Sequence, residues 1–425
     1  MKHLLTILLM SASVACAAAD KPNIIFILAD DLGLDGLTCY GGPRVKTPNL
    51  DALAATGLRF SSCYANPLCG PSRCTLMTGR YVFRTGGRTN QSAGRPSPKD
   101  EVCIAKVLKQ AGYATCQVGK WRQMGATPAD WGFDEYVTDP TAGGWYWQKS
   151  YFKNGKEVKL DKEIYYEDVI YDYAVDFIKR HKDQPFFLYY PTHLIHGPIL
   201  RTPDSKPGTA NYYNDNIAYM DKQVGRLIAE LEKLKLRENT LFLFTGDNGT
   251  ARFGADTSTL NGRRINGQKG TLLEGGSRVP LIANWPGVVL KGKLNHDLID
   301  FTDMFATFAE LAGAKLPEGV KIDGHSFAPQ LRGQKGTPRE WCFVQLGNSW
   351  YARDARWKLT ESGALFDLKD APFVEAPVAA DTKDAEAIAG RKHLQAVLDE
   401  LKPSGDPNDT GKADRPRKKR KAARK

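Results

Sequence analysis

Most of this chain is predicted to fold as an α/β domain, in which helices sandwich a large mixed, mainly parallel sheet. Short apolar runs bounded by Gly, Pro or Asp recur along the sequence, and segments with helical periodicity separate them. The length of 425 residues is ample for one large core, and 42% hydrophobic with 25% charged residues is typical of folded proteins. This composition excludes collagen-like, coiled-coil and wholly disordered chains.

The first predicted strand, residues 23–29, is continuously apolar after Asn23, which is typical of a strand buried on both faces. A helix is predicted at residues 47–57, because Pro48 lies near its start and Gly57 at its end. Amphipathic helices and apolar strands then alternate. They are helix 101–112, strand 113–118, helix 168–181, strand 185–190, helix 211–236, strand 240–245, strand 280–285 and helix 302–313.

After about residue 338 the pattern changes to short strands, and a small C-terminal subdomain with an antiparallel sheet and one helix is predicted. Its strands are residues 341–345, 350–353, 357–360 and 364–368, and its helix is residues 383–401. The predicted organisation is therefore a signal peptide (1–19), a main domain (20–338), the subdomain (339–402) and a disordered basic tail (403–425).

The N-terminus has the pattern of an export signal. Lys2 and His3 precede an apolar stretch at residues 4–10, and three small residues at 17–19 suit cleavage. An exported protein, periplasmic or secreted, is therefore expected. Lipid anchoring through Cys16 is the alternative, although residues 13–15 fit the lipoprotein pattern poorly.

The net charge of +11 lies mostly at the other end of the chain. Eight basic residues and no acidic one occur in residues 415–425, which leaves +3 for everything else. The tail is compatible with weak contact to anionic polymers or surfaces, or with a solvated segment that has no partner. No nucleic-acid partner is expected for an exported chain.

Acidic and amide side chains follow two of the predicted strands. Asp30 and Asp31 end the first strand, and Asp247 and Asn248 follow strand 240–245. Ligands gather at the carboxyl ends of strands in such sheets, and four oxygen donors suit Ca²⁺ or Mg²⁺. Turn formation is the alternative explanation for either pair alone.

One of the seven cysteines that follow the predicted signal stands out by its position. Cys69 precedes Pro71 and Ser72 at the predicted start of a helix, with Arg73 one turn later. The positive end of a helix lowers the pKa of a thiol or favours an oxyanion. A buried cysteine beside a helix cap remains the alternative. No cysteine pair has the spacing of a zinc site.

The segment CGPSRCTLMTGR, residues 69–80, resembles the signature of the type I sulfatases, in which the leading cysteine is oxidised to formylglycine. Further blocks resemble the same family in the same order, from about residue 22 to 402. They include NIIFILADDLG, Gly119-Lys120-Trp121, FFLYYPTHLIHGP, FTGDNG, QKGTLLEGGSR and LFDL. The resemblance implies an alkaline phosphatase-like fold, a calcium ion and a formylglycine-generating enzyme as a maturation partner.

The resemblance also implies roles for individual residues. Arg73 would hold the formylglycine hydroxylate, while Lys120, His196 and Lys269 would bind the sulfate and protonate the leaving oxygen. His193 is a candidate for substrate contact or a structural histidine near the mouth of the site. The implied metal ligands are Asp30, Asp31, Cys69, Asp247 and Asn248.

One position departs from the family pattern. Where the family usually has His after Gly119-Lys120-Trp121, this chain has Arg122, which cannot accept a proton because its pKa is too high. Either another base does the work of that histidine, the branch is altered, or turnover is impaired. The alternative is that Arg122 only binds an anionic substrate.

The leading hypothesis is an exported formylglycine-dependent sulfatase that cleaves a sulfate monoester, on a carbohydrate by family habit. Hydrolysis of phosphate or phosphonate esters is the second hypothesis, because related folds use similar metal sites. A weakly catalytic binder of sulfated glycans is the third, and Arg122 motivates it.

Overall fold

The computed structural model describes residues 21–92, 95–121, 124–140 and 146–404. The predicted signal peptide, including Cys16, lies outside these ranges, as do Arg122 and residues 405–425 of the predicted tail. Within the described ranges, no helix combines the length and the apolar character needed to cross a membrane.

Strands up to residue 300 supply the main sheet. In chain order they are β1 (Asn23–Ala29), β2 (Leu58–Tyr64), β3 (Ala114–Gly119), β4 (Glu135–Thr138), β5 (Trp147–Lys153), β6 (Lys156–Tyr165), β7 (Phe186–Pro191), β8 (Thr240–Gly246), β9 (Thr259–Leu260), β10 (Arg263–Arg264), β11 (Arg278–Asn284) and β12 (Lys293–Asp300). All except the small hairpin β9–β10 form one ten-stranded sheet, in the order β12-β2-β11-β8-β1-β7-β3-β4-β5-β6.

The sheet is mixed and mainly parallel at its centre. Strand β1 pairs in parallel with β7 on one side and with β8 on the other, and β3 continues the parallel run to β4. Strand β11 is antiparallel to both β8 and β2, and the hairpin β5–β6 closes the far edge. The predicted fold class is confirmed.

Helices cover both faces of this sheet. The helices of the main domain are α1 (Pro48–Thr56), α2 (Cys69–Thr78), α3 (Val82–Thr85), α4 (Ile104–Gln110), α5 (Tyr166–Arg180), α6 (Tyr213–Lys233), α7 (Arg252–Ala255), α8 (Glu274–Ser277), α9 (Asp303–Leu311) and α10 (Ala328–Leu331). On β1, Phe26 and Leu28 pack with α2, α4 and α9. Ile25 and Ile27 pack with α1, α5 and α6 on the opposite face. This is why β1 is apolar at successive positions rather than at alternate ones.

A second sheet, of five antiparallel strands, follows residue 341. Its strands are β13 (Cys342–Leu346), β14 (Ser349–Arg353), β15 (Trp357–Thr360), β16 (Leu365–Asp367) and β17 (Ala376–Val378). Helix α11 (Ala385–Leu401) contributes Leu394 and Leu398 to a core shared with this sheet. The side chain of Asp384 caps the helix by accepting hydrogen bonds from the N–H groups of Glu386 and Ala387. Strand β17 was not predicted.

Five strands of the main sheet, β2, β4, β5, β6 and β12, were also not predicted. Strand β2 alternates between buried and half-exposed residues, and β12 is exposed over its first half. Strand β6 carries mostly charged, exposed side chains on the edge hairpin. Its turn, Asn154-Gly155, has φ angles of 48° and 78°, and an Asn-Gly pair is a sequence signal for such a turn.

Candidate active site

The carboxyl ends of four neighbouring strands place the predicted site residues at one edge of the main sheet. Strands β1 and β8 are paired up to Ala29 and Gly246, so that Asp30 and Asp247 leave the sheet side by side. Lys120 follows β3, and the segment with His193 and His196 follows β7. Sheet register therefore brings together residues that are far apart in the chain.

The acidic residues form a tight cluster. The backbone N–H of Asp31 donates a 3.0 Å hydrogen bond to Oδ1 of Asp247, and Nδ2 of Asn248 donates one of 3.0 Å to Oδ1 of Asp31. Asp31 adopts a φ of 64°, in the left-handed region that favours glycine and that other residues, including Asn and Asp, adopt at some cost in free energy. The chain thus accepts local backbone strain where it arranges these oxygen atoms.

Two oxygen atoms of this cluster have no hydrogen-bond partner among the described residues: Oδ1 of Asp30 and Oδ1 of Asn248. Both residues are fully buried. Buried oxygen atoms normally accept hydrogen bonds, and a cation is an alternative partner. Ligand atoms of Asp30, Cys69 and Asp247 also lie within 4.8 Å of one another. The residues present therefore fit a hard divalent cation.

Cys69 is the first residue of α2 and faces this cluster from the side. Its Sγ lies 3.6 Å from Oδ1 of Asn90, which also accepts a 3.0 Å hydrogen bond from the N–H of Gly70. Burial raises the pKa of the Cys69 thiol, and nearby Asp30 adds to the rise. The helix N-terminus was expected to lower this pKa, but in the structure burial outweighs that effect. No motif or spacing in the sequence pointed to Asn90.

Three cationic side chains neutralise the three carboxylates. Arg73 lies 2.8 Å from Oδ2 of Asp247 and 3.8 Å from Oδ2 of Asp30. Lys120 pairs with Asp30, and Lys269 pairs with Asp31. The formal charges of these six residues sum to zero, so the cluster tolerates burial without a net charge.

The pKa values reflect these pairings. Burial alone would raise the pKa of Asp30, but Lys120, His196 and Arg73 together lower it well below the ordinary value. Burial and the neighbouring Asp30 raise the pKa of Asp247 to about 7. The charge pattern is thus uneven, with Asp30 the more firmly ionised of the two carboxylates.

The cluster opens to solvent at His196 and Lys269. Their side chains are 22% and 16% exposed, whereas Arg73 and Lys120 are buried. Nδ1 of His196 lies 2.5 Å from the carbonyl oxygen of Gly197, and Nε2 lies 3.9 Å from Oδ2 of Asp31. Burial lowers the pKa of His196. A substrate entering the site therefore meets His196 and Lys269 first.

His193 occupies a different environment from His196. Its ring is fully buried, with Nδ1 3.1 Å from Oε1 of Glu167 and Nε2 3.4 Å from Oδ1 of Asp139. Burial would lower its pKa, but the two carboxylates raise it to about 9. This placement favours the structural role for His193 over contact with substrate. The partners Glu167 and Asp139 carried no signal in the sequence.

Comparison with known proteins agrees with this geometry. The model of the family described as Sulfatase matches residues 22–314. The chain belongs to the sulfatase family. Its fold is accordingly alkaline phosphatase-like, and it is an enzyme of the class that hydrolyses sulfate esters. The family resemblance is confirmed.

Individual sulfatases show the same relationship over most of the chain. The N-acetylgalactosamine-6-sulfatase of Canis lupus familiaris is 36% identical over 79% of this chain and 71% of its own length. The arylsulfatase A of Homo sapiens is 35% identical over 79% of this chain and 73% of its own. The crystal structure of Ps i-CgsB in complex with k-i-k-neocarrahexaose has a TM-score of 0.76 and 29% identity, covering 92% of this chain and 94% of that one.

Proposed function

We propose that this sulfatase is exported and hydrolyses a sulfate monoester of a carbohydrate, using a formylglycine made from Cys69 and a bound divalent cation. One observation carries the proposal. Cys69 lies at the N-terminus of α2 against buried carboxylates, two oxygens of the cluster lack partners, and three cations surround it. A buried protonated thiol has no evident role there, whereas an oxygen group at the same position completes a cation site.

The cation would be Ca²⁺, with Mg²⁺ as the alternative, and its ligands would be Asp30, Asp31, Asp247, Asn248 and the modified Cys69. When bound, it would supply positive charge that stabilises anionic oxygens during the reaction. The two unpartnered oxygens, Oδ1 of Asp30 and Oδ1 of Asn248, are available to it without the loss of any hydrogen bond in the described structure.

Charge balance explains why such a site attracts a sulfate ester. The six charged side chains of the cluster cancel one another, so an added divalent cation leaves the site positive. A sulfate monoester carries one negative charge and the formylglycine hydroxylate would carry another, so that together they would balance the two positive charges of the cation. Lys120 and Lys269, which pair with Asp30 and Asp31, are positioned to donate hydrogen bonds to its oxygens.

Each of the remaining side chains of the site would have its own role in the reaction. Hydrated formylglycine would supply two hydroxyls on one carbon, one to attack sulfur and one to allow the release of sulfate. Arg73, held by Asp247, would stabilise the attacking hydroxyl as an anion, and Asn90 would orient the residue at position 69. His196, at the open side of the cluster, would protonate the departing alcohol.

The carbohydrate substrate is proposed from the named relatives. One is an N-acetylgalactosamine-6-sulfatase, and the structure of Ps i-CgsB holds a neocarrahexaose. The export signal predicted in residues 1–19 supports the same class, because a secreted or periplasmic enzyme would meet extracellular glycans. Modification of Cys69 would require a formylglycine-generating enzyme in the producing cell.

Mass spectrometry of the peptide that contains Cys69, from protein made in its native host, tests the chemistry. The expected result is loss of the thiol and gain of an aldehyde or its hydrate. The peptide that contains Cys103 is the internal control and should keep its thiol. An unmodified Cys69 in active protein would overturn the proposed mechanism.

A substrate panel tests the reaction. Sulfated monosaccharides, beginning with N-acetylgalactosamine 6-sulfate, are compared with the corresponding phosphates, and the inorganic product is measured. Release of sulfate from at least one sugar, at a rate well above that of phosphate, is expected. Faster release of phosphate would favour a phosphate ester hydrolase, and binding without any release would favour a glycan-binding protein.

A further inference from the structure

One aromatic side chain is conspicuously exposed beside the proposed sulfate pocket. Phe253, in the short helix α7, is 51% exposed, the largest fraction among the exposed large hydrophobic side chains of the described residues. The hydrophobic effect disfavours such exposure, by roughly 25 cal/mol for each Å² of apolar surface left in water. A single exposed hydrophobic side chain needs no explanation by itself, so it is the position of Phe253 beside the site that points to binding.

The position of Phe253 relative to the site is fixed by its contact with Gly197. A Cβ atom placed on Gly197 would lie 2.9 Å from Cε1 of Phe253, so the ring packs directly against that glycine. Gly197 follows His196, whose Nδ1 lies 2.5 Å from the Gly197 carbonyl oxygen. The ring thus lies one residue away from the proposed proton donor, on the open side of the cluster.

The loop that carries Phe253 also contacts the other exposed member of the site. The N–H of Lys269 donates a 3.0 Å hydrogen bond to the carbonyl oxygen of Thr250, three residues before Phe253. The same loop begins at the proposed metal ligands Asp247 and Asn248. Phe253 therefore lies on a loop that is held between the two groups through which the pocket opens, His196 and Lys269.

The side chains of Tyr213 and Arg44 support this loop. The ring of Tyr213 meets Phe253 edge-on, with centroids 5.7 Å apart and planes at 73°. The guanidinium of Arg44 lies 5.1 Å from the centre of the Tyr213 ring and forms an ion pair of 2.5 Å with Asp35. Arg44 also donates hydrogen bonds to the Gly254 carbonyl oxygen and to Oγ1 of Thr257. The aromatic ring is thus supported before any ligand arrives, which lowers the entropic cost of binding.

We propose that Phe253 is a binding residue for the sugar ring, and that the apolar face of a pyranoside stacks on it while the sulfate group enters the pocket beside His196. The chemistry is complementary, because a pyranoside presents a face of C–H groups and an aromatic ring presents an apolar, electron-rich face. Polymers of sulfated sugars and single sulfated sugars both offer such a face. This inference rests on the proposed function, since it needs a sulfated carbohydrate as the substrate.

Steady-state kinetics of Phe253→Ala test the proposal. The substrate is the sulfated monosaccharide that the wild-type enzyme cleaves fastest, with N-acetylgalactosamine 6-sulfate tried first, and inorganic sulfate serves as an inhibitor that lacks a sugar ring. KM for the sugar should rise about 3- to 10-fold, the range of a single aromatic contact, while the inhibition constant of inorganic sulfate stays unchanged. Phe253→Tyr, which keeps the ring, should restore the wild-type KM.

Ile388→Ala is the matched control, because Ile388 is 50% exposed but lies on α11. It should leave both constants at their wild-type values. An unchanged KM in Phe253→Ala would overturn the proposal, and so would equal weakening of sugar and inorganic sulfate, which would indicate a distorted pocket. If the modified wild-type enzyme cleaves no sulfated sugar at all, the proposed function fails first, and that failure is seen before any variant is compared.

Discussion

Two buried clusters of charged residues in this protein differ in one respect. In the site cluster, Oδ1 of Asp30 and Oδ1 of Asn248 lack hydrogen-bond partners. The second cluster, here called the junction cluster, comprises Tyr81, Asp300, Asp303, Asp323 and Arg339, where the main domain meets the C-terminal sheet. Each of its carboxylate oxygens accepts at least one hydrogen bond.

The two clusters show that burial of charge alone does not identify a functional site. Arg339 donates to both oxygens of Asp303 and to the Asp323 carbonyl oxygen, so the junction cluster is complete without a ligand. The site cluster balances its three carboxylates with three cationic side chains but leaves two oxygens with no donor. Unsatisfied buried oxygens also occur singly elsewhere, for example at Gln117 and Gln330, so it is their presence within a cluster of buried carboxylates that marks the place where a cation is expected.

The largest expected effect is a loss of activity without a loss of stability, caused by replacing one cysteine of α2. Cys69→Ala should lower kcat by a factor on the order of 10⁴ or more, because it removes the proposed nucleophile, and should leave the melting temperature nearly unchanged. Cys74→Ala is the matched control, since Cys74 is equally buried in α2 and its Sγ lies 3.6 Å from Sδ of Met124. It should keep kcat at the wild-type value. Substantial residual activity in Cys69→Ala would contradict the assignment.

The junction cluster should show the opposite behaviour. Arg339→Met leaves Asp303 buried without its ionic partner, and loss of one member of a buried pair typically costs about 3–5 kcal/mol of unfolding free energy. Urea denaturation measures this loss, and kcat of the folded protein should not change. Arg339→Lys retains the charge and should recover part of the stability. A loss of kcat larger than the loss of folded protein would show that the two clusters are coupled.

Much of the fold was predictable because its signals are local. Strands β1 and β8 are continuously apolar at residues 24–29 and 241–244, and segments with helical periodicity lie between them, so the mainly parallel sheet could be predicted. The edge hairpin β5–β6 did not, because its side chains are mostly polar and exposed. There only the Asn154-Gly155 turn carries a local signal.

The site was predictable to the extent that its residues follow strands or stand in recognisable segments. Asp30 and Asp247 were found by that logic. Asn90 was not, because it lies 20 residues after Gly70, whose N–H donates a hydrogen bond to it. Glu167 and Asp139 approach His193 from separate elements in the same way. Such contacts depend on three-dimensional packing, and no periodicity or spacing in one sequence encodes them.

The third expected effect is a pH dependence of the unfolding free energy, caused by Asp300 in the junction cluster. Burial and the nearby Asp303 raise the pKa of Asp300 to about 6, although Arg339 opposes the rise. Between about pH 4 and pH 6 the folded protein then holds a proton that the unfolded chain has released. The stability contributed by protonated Asp300 is complete below pH 4 and is lost as the pH rises through about 6. A shift of two units corresponds to about 3 kcal/mol.

Asp300→Asn tests this effect, because asparagine stays uncharged at every pH. Urea denaturation from pH 4 to pH 7 should show a steeper decline in the unfolding free energy of the wild-type protein than of the variant, in which Asp247 still titrates. The exposed carboxylate of Asp370 provides the control, and Asp370→Asn should follow the wild-type curve. Parallel curves for wild type and Asp300→Asn would refute the role of this carboxyl group.

The smallest expected effect distinguishes the clusters by their response to a cation. Addition of Ca²⁺ to chelator-treated protein should raise the unfolding free energy by about 2.7 kcal/mol at a concentration 100 times Kd, because only the folded state offers the site. Differential scanning calorimetry at increasing Ca²⁺ measures the shift. Asp30→Ala removes a proposed ligand and should abolish the shift, whereas Asp300→Asn leaves the site cluster intact and should keep all of it. Equal shifts in both variants would mean that the unpartnered oxygens of the site cluster do not bind the cation, and the physical distinction between the two clusters would be lost.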